Sequence, residues 1–428
     1  MKKHKNLFIV LAIILVASVS IVIIAKEKNN DIYKENENIK KTHSNGIAMM
    51  LETEAGSGNY EMTTRDTWPT DGYVFNSNLS KCENGGELSW DDENKRVLMS
   101  GTVSDKCYVY FDIYKPKTLT DYVKALYTGT QGENNIYYHD ADLANGAGDN
   151  SYRYAGASET VNNFVCFGST ESPCPTDNLY RIIGVFRDQV KLIKYDYATS
   201  ALLGTDGDYF NKYPYGNSTY EGNNYESIVS YYWNYKQNTT LNNGHGSNTW
   251  STSLLNTTNL NKNYITNIGT EWAKKIATTT WKVGGNRYAN IATSAMNVAY
   301  QNEITNAVAT GTTDGATEYS AKIGLMYISD YGFAASPTYW TYVGYNSSDS
   351  TKDYRAATTS NWMYMGLSEW SISRIADGSY IVFSILNTGF IDHLETNEHI
   401  AVRPTFSLLS STNYVSGSGS SSDPIIID

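Results

Sequence analysis

This chain of 428 residues is short of several things that usually announce a function. It has four cysteines, eight prolines, six histidines and eleven phenylalanines, and only 18% of its residues are charged. The charge balance is −11, so no net positive field is available to neutralise phosphates, which excludes a nucleic-acid partner. The six histidines (His4, His43, His139, His245, His393 and His399) form no His-x-x-x-His pair. There is no Gly-x-Ser-x-Gly elbow and no glycine-rich phosphate loop. Nothing in these patterns calls for a cofactor. The segment 393–399, HLETNEH, gathers His393, Glu395 and His399 at period-2 spacing, but a polar loop tip is the simpler reading and no metal is assigned to it.

Long apolar runs are equally scarce. The exception is residues 7–25, LFIVLAIILVASVSIVIIA, an uncharged run of 19 residues preceded by Lys2, Lys3 and Lys5. That length spans a hydrocarbon core as a helix, and the leading lysines favour a cytoplasmic N-terminus with the bulk of the chain outside the cell. A cleaved signal peptide is the rival reading. The four cysteines agree with export: Cys82 with Cys107 and Cys166 with Cys174 pair by proximity as two structural disulfides. By loop entropy the first contributes on the order of 3 kcal/mol and the second somewhat less. Cys-x7-Cys without nearby histidines has no zinc-finger spacing.

Composition and turn signals divide the chain. Residues 1–25 read as a stub and anchor, and 26–59 as a polar spacer. Residues 60–115 read as a small β unit of short runs such as GELSWD and CYVYFDIY separated by polar turns. Residues 116–149 hold a short helix, with Leu119, Tyr122, Val123 and Leu126 at helical spacing, and then a linker. The main domain covers 150–412, and a Gly/Ser-rich tail covers 413–428. The clearest element is the hairpin NLYRIIGVFRDQVKLIKYDYA, residues 178–198, turning at Arg187-Asp188. In NEHIAVRPTFSLL, residues 397–409, the strand-like alternation runs intact through Pro404, so this proline marks a bulge or an edge where one pairing ends and another begins.

The succession YRIIGVF…VKLIKYD, WSTSLLN…YITNI…W, KIGLMYISDYGFA, EWSISR and VRPTFSL resembles an uncharacterised domain of surface proteins in low-GC Gram-positive bacteria. That domain is similar to the C-type-lectin-like core shared with formylglycine-generating enzymes and the variable proteins of diversity-generating retroelements. The resemblance covers about residues 150–412 and implies an α+β fold with short helices and antiparallel strands. It also implies a structural role for Arg403 beside Pro404, tying down loop carbonyls or a carboxylate from inside the domain. The Glu-Pro-Asn or Gln-Pro-Asp and Trp-Asn-Asp motifs of calcium-dependent sugar binding are absent, and no cysteine follows Cys174, so neither that activity nor the oxidase chemistry carries over.

The 36 tyrosines, interleaved with Asn, Ser, Thr and Gly, offer large amphipathic contacts of the kind found on binding surfaces. The expectation is therefore a membrane-anchored extracellular binding protein, adhesin-like and without catalysis, that recognises a glycan or protein ligand. Its candidate contact residues are Trp362, Tyr364, Trp370, Tyr380, Asn387, Asp392, His393 and Glu395. A passive stalk component, with its aromatics filling cores, and an extracellular enzyme built on Asp392, His393 and Glu395 remain as alternatives.

Overall fold

A computed structural model describes residues 46–428 apart from 64–66, 70–71, 92, 101–104, 115–116, 214–218, 221–222, 225–227, 292–293, 308–315 and 342–353. The apolar run at 7–25 and the first part of the spacer lie outside the described residues. Among those described, no helix is long and apolar enough to cross a membrane. The chain divides into two units, Met1–Lys115 and Pro116–Asp428.

In the first unit Cys107–Ile113 is the central strand. It pairs in parallel with Ile47–Glu52 and antiparallel with Tyr73–Phe75 and with Lys81–Cys82, while Tyr60–Met62 extends the sheet at the far side of Ile47–Glu52. Period-2 alternation sends Val109 and Phe111 to one face and Tyr108 and Tyr110 to the other, and each face buries its own small cluster. Cys82 lies directly opposite Cys107 in the ladder and the two are disulfide-bonded. The spacer expected through residue 59 ends earlier, because Ile47–Glu52 is one of the paired strands; its Ala48, Met49 and Met50 bury against the centre while Ile47 stays exposed.

The second unit is mostly strand with a few short helices. Its largest sheet has seven strands, running Ile323–Gly324, Thr405–Ser407, Gln189–Lys194, Leu179–Phe186, Ser151–Tyr154 and Ile136–His139, with Phe164–Cys166 also on Leu179–Phe186. The hairpin turns at Arg187 and Asp188, and Arg187 takes the left-handed φ of 61°. A second sheet of four strands, Gly285–Asn286, Glu369–Ile375, Ile381–Ile385 and Ile391–Glu395, packs its apolar residues into the same core. Leu119–Ala125 is helical, capped by the Thr118 hydroxyl accepting from Asp121 N. Cys166 and Cys174 are disulfide-bonded.

The segment around Pro404 is two short strands rather than one. His399–Ile400 pairs with Val229–Tyr232, whereas Thr405–Ser407 pairs with Gln189–Lys194 and Ile323–Gly324. Pro404 sits where the chain changes partners, and its carbonyl accepts from Lys194 N at 3.0 Å. The Gly/Ser-rich residues after 412 carry a short strand pair of their own. Tyr414–Ser416 pairs with Ile426–Ile427, and Ile425, fully buried, bridges to Val165. Ile425 and Ile427 at the end of the polar tail account for this, since both bury in the core and their transfer from water favours ordering the glycines and serines before them.

Candidate functional site

The largest sheet carries charge inward. Gly184 allows this: a Cβ there would lie 2.3 Å from the Tyr152 carbonyl oxygen, so only glycine lets Ser151–Tyr154 run so close. The ladder sets Arg153 opposite Gly184, and its guanidinium lies 4.6 Å from the Phe186 ring centre and 5.0 Å from that of Phe333. On the neighbouring strand Lys191 is also buried, its ammonium 4.4 Å from the Tyr327 ring centre.

Each cation meets a carboxylate. Arg153 Nη2 donates to Asp149 Oδ2 at 2.7 Å, and the same oxygen accepts from the Tyr300 hydroxyl at 2.7 Å. Lys191 Nζ donates to Asp330 Oδ2 at 2.5 Å. Asp330 is held in turn by the first turn of the helix Ile328–Ala334, where Oδ2 also accepts from Tyr327 N at 2.9 Å. Behind it Glu303 accepts from Ile328 N at 3.1 Å and Ser329 N at 3.2 Å, and from the Ser373 hydroxyl. The antiparallel pair Thr279–Lys282 with Glu318–Ala321 closes another side; its register sets Lys282 opposite Glu318, and the two form an ion pair. Gly324 leaves room for Trp281, whose ring lies where a Cβ would otherwise stand, 2.7 Å from that position.

These segments enclose a cavity of about 700 Å³. Its lining brings together four cations (Arg153, Arg187, Lys191 and Lys282) and three carboxylates (Asp149, Glu318 and Asp330). Each carboxylate is committed to a cation, which leaves the exposed Arg187 with no ion-pair partner among the described residues. On the wall Arg153 Nη1 and Thr279 Oγ1 are buried without a hydrogen-bond partner, and the nearest carboxylate oxygen to Arg153 Nη1, Asp330 Oδ1, is 3.8 Å away. Orphaned polar atoms of this kind are rare in native interiors.

Burial dominates the protonation of the site. It pulls the Lys191 amine down, against the attraction of Asp330. It pushes the Glu303 carboxyl up to about 8 despite the three donors. Burial also works against the Asp149 charge, but Arg153, Ser151 and Tyr300 together outweigh it and hold the carboxyl below the usual range. Lys191 is tied to Asp330 as an ion pair, so its lone pair is not free for nucleophilic attack. The arrangement can seat a polar ligand by fixed, shielded charges and hydroxyls.

The residues expected from sequence lie elsewhere. Trp362 and Trp370 are core side chains, their indole N–H groups donating to the Tyr154 and Tyr231 carbonyls, and Tyr364 is 7% exposed with its hydroxyl on the Asn387 carbonyl. These three rings do not offer a contact surface. For Trp370 the reason is that the strand EWSISRI is buried at every position, so both of its faces are covered. The remaining five stay nearer solvent. Asn387 is exposed, and Tyr380, Asp392, His393 and Glu395 are half-buried. His245 Nδ1 is 2.6 Å from Glu395 Oε2 and stacks on Tyr380, while His393 Nδ1 is 2.8 Å from Asp392 Oδ1. These are two separate carboxylate–histidine pairs, and no metal-ligating group of three includes them among the described residues.

Arg403 is fully buried and donates to both oxygens of Glu369, at 2.7 and 2.6 Å, and to the Met363 carbonyl at 2.6 Å. The residues that sequence reading passed over are Asp149, Arg153, Lys191 and Trp281. Their one local signal is a cation at an inward position of an apolar strand, in SYRY and QVKLIK. No family model, curated protein or solved structure matches this chain.

Proposed function

We propose that this is an extracellular binding protein, tethered to the membrane through residues 7–25 with its N-terminus in the cytoplasm, that captures a glycan without transforming it. In this reading residues 150–412 are a C-type-lectin-like core, and the binding site is the cavity bounded by Arg153, Lys191, Asp330 and Trp281. The observation that carries the proposal is the pair of unsatisfied buried atoms, Arg153 Nη1 and Thr279 Oγ1, on the wall of a cavity of about 700 Å³. Convergent polar groups in a preformed concavity are the usual mark of a ligand site. Donors and acceptors alternate around it, with Thr278, Thr280 and Gln189 beside the ion pairs, which suits a polyol better than an apolar molecule. A protein ligand is the second outcome to be tested, since a concavity of this size takes a sugar unit or a protruding side chain more readily than a broad flat face.

The test uses the detergent-solubilised full chain on glycan and protein arrays, wild type beside Thr279→Trp, which fills the cavity from its wall. Glycan signals that the wild type gives and the variant loses, at unchanged melting temperature, support the proposal. Signals confined to protein features would replace the ligand class, and signals indifferent to the substitution would remove the cavity from the account.

A further inference from the structure

The cavity's charges are arranged in a way that narrows the ligand further. Three carboxylates and three of the cations neutralise one another in pairs: Asp149 with Arg153, Asp330 with Lys191, and Glu318 with Lys282. What remains is unspent donor capacity of one sign. Arg153 Nη1 makes no hydrogen bond and stands 3.8 Å from Asp330 Oδ1, and Arg187 offers a whole guanidinium with no ion pair or side-chain hydrogen bond among the described residues. Arg187 is placed by the turn of the hairpin, where its backbone takes the left-handed conformation, φ 61°. Its neighbours Phe186 and Gln189 line the same cavity. This residue is exposed whereas Arg153 and Lys191 are buried, so it stands toward solvent and they stand within.

Pairing inside and vacancy outside have different consequences. A buried cation already stacked on aromatic rings and held by a carboxylate costs little to keep and is not free to be neutralised twice. A free guanidinium presents a planar fork of donors that matches a carboxylate or phosphate through two parallel hydrogen bonds. The chain as a whole is acidic, at −11, so an uncommitted arginine beside a cavity runs against the general surface and marks that spot for an anionic group.

We infer that the cavity selects an acidic saccharide, its hydroxyl groups taken by the threonine- and carboxylate-lined interior and its carboxylate or phosphate held by Arg187. This rests on the reading of the cavity as a glycan site and specifies which glycans enter.

The experiment is calorimetric titration of the detergent-solubilised full chain with three disaccharide probes. One contains glucuronic acid, one is its neutral glucose counterpart, and one is the same neutral sugar phosphorylated at the 6-position. Each is titrated into wild type, Arg187→Ala and Arg187→Glu. The side chain of Arg187 is exposed and unpaired, so both variants fold as the wild type does. The expected result is that an acidic probe binds wild type at least tenfold more tightly than the neutral one. That advantage is lost in Arg187→Ala and reversed in Arg187→Glu, where the added carboxylate repels the acidic probe, while neutral-sugar affinity stays constant across the three proteins. Whichever acidic probe binds better decides between carboxylate and phosphate. Equal binding of acidic and neutral probes to wild type, or an acidic-probe affinity unmoved by Arg187→Ala, overturns the inference and leaves the cavity a glycan site. No binding of any probe removes both.

Discussion

Two buried charge clusters in the second unit differ in one respect, and the difference is what the proposed binding role rests on. Around Arg403 the accounting closes. Its guanidinium meets Glu369 through both oxygens and the Met363 carbonyl, both side chains are 1% exposed, and neither has an orphaned atom. Around Arg153 and Lys191 the charges pair as well, but beside a cavity, with Asp149 18% exposed and Arg153 Nη1 left without a hydrogen bond. A closed cluster fixes chain positions: Glu369 lies on an inner strand of the four-stranded sheet, and Arg403 lies where the chain crosses from Val229–Tyr232 to Gln189–Lys194. An open cluster has capacity left for a molecule the chain does not supply.

The contrast predicts unequal costs. Glu369→Ala strands the Arg403 charge where no water reaches it, and destabilises the fold by about 3–5 kcal/mol. Arg153→Met leaves Asp149 with Ser151, Tyr300 and partial solvent exposure, and costs about 1–3 kcal/mol. Chemical denaturation of the two variants measures both values, and equal losses would erase the distinction between the clusters.

Glu303, behind the open cluster, adds a pH dependence. Burial raises its folded-state pKa from 4.5 to about 8. The folded state therefore holds its proton more tightly than the unfolded one, and the stability this gives is present below about 4.5 and lost as pH rises towards 8. Relative to Glu303→Ala, which strands the Ile328 and Ser329 N–H groups, wild type is ahead by most near pH 5. The gap in melting temperature narrows up to pH 8. His139, whose burial keeps it neutral, acts in the opposite sense in both proteins and cancels in the comparison. A gap that widens with pH would mean that the three donors, rather than burial, govern Glu303. The smallest expected effect is Lys282→Ala. Its pair with Glu318 is 32% and 54% exposed and contributes at most about 1 kcal/mol, so the melting temperature moves by only a few degrees.

What could be read in advance was local. The hairpin of Leu179–Phe186 with Gln189–Lys194 shows in its β-branched residues and two-residue turn, and the helix Leu119–Ala125 shows in its apolar spacing. An arginine in mid-strand implies an internal acceptor, but nothing in the sequence singles out Glu369, 34 residues away. Trp370 illustrates the converse failure: alternation marks a strand without saying whether its second face is covered. The cavity left the least trace. Its walls come from segments between Asp149 and Ser407, and such long-range convergence has no period or spacing to detect. The return of Ile425 to Val165 is hidden for the same reason.

The cavity and the Tyr380–Glu395 edge are the two places where a ligand could sit, and hydrogen–deuterium exchange with the glucuronic-acid disaccharide decides between them. The account predicts slowed exchange at 149–153, 278–282 and 327–330, with 380–395 unchanged. Protection confined to 380–395 would contradict it.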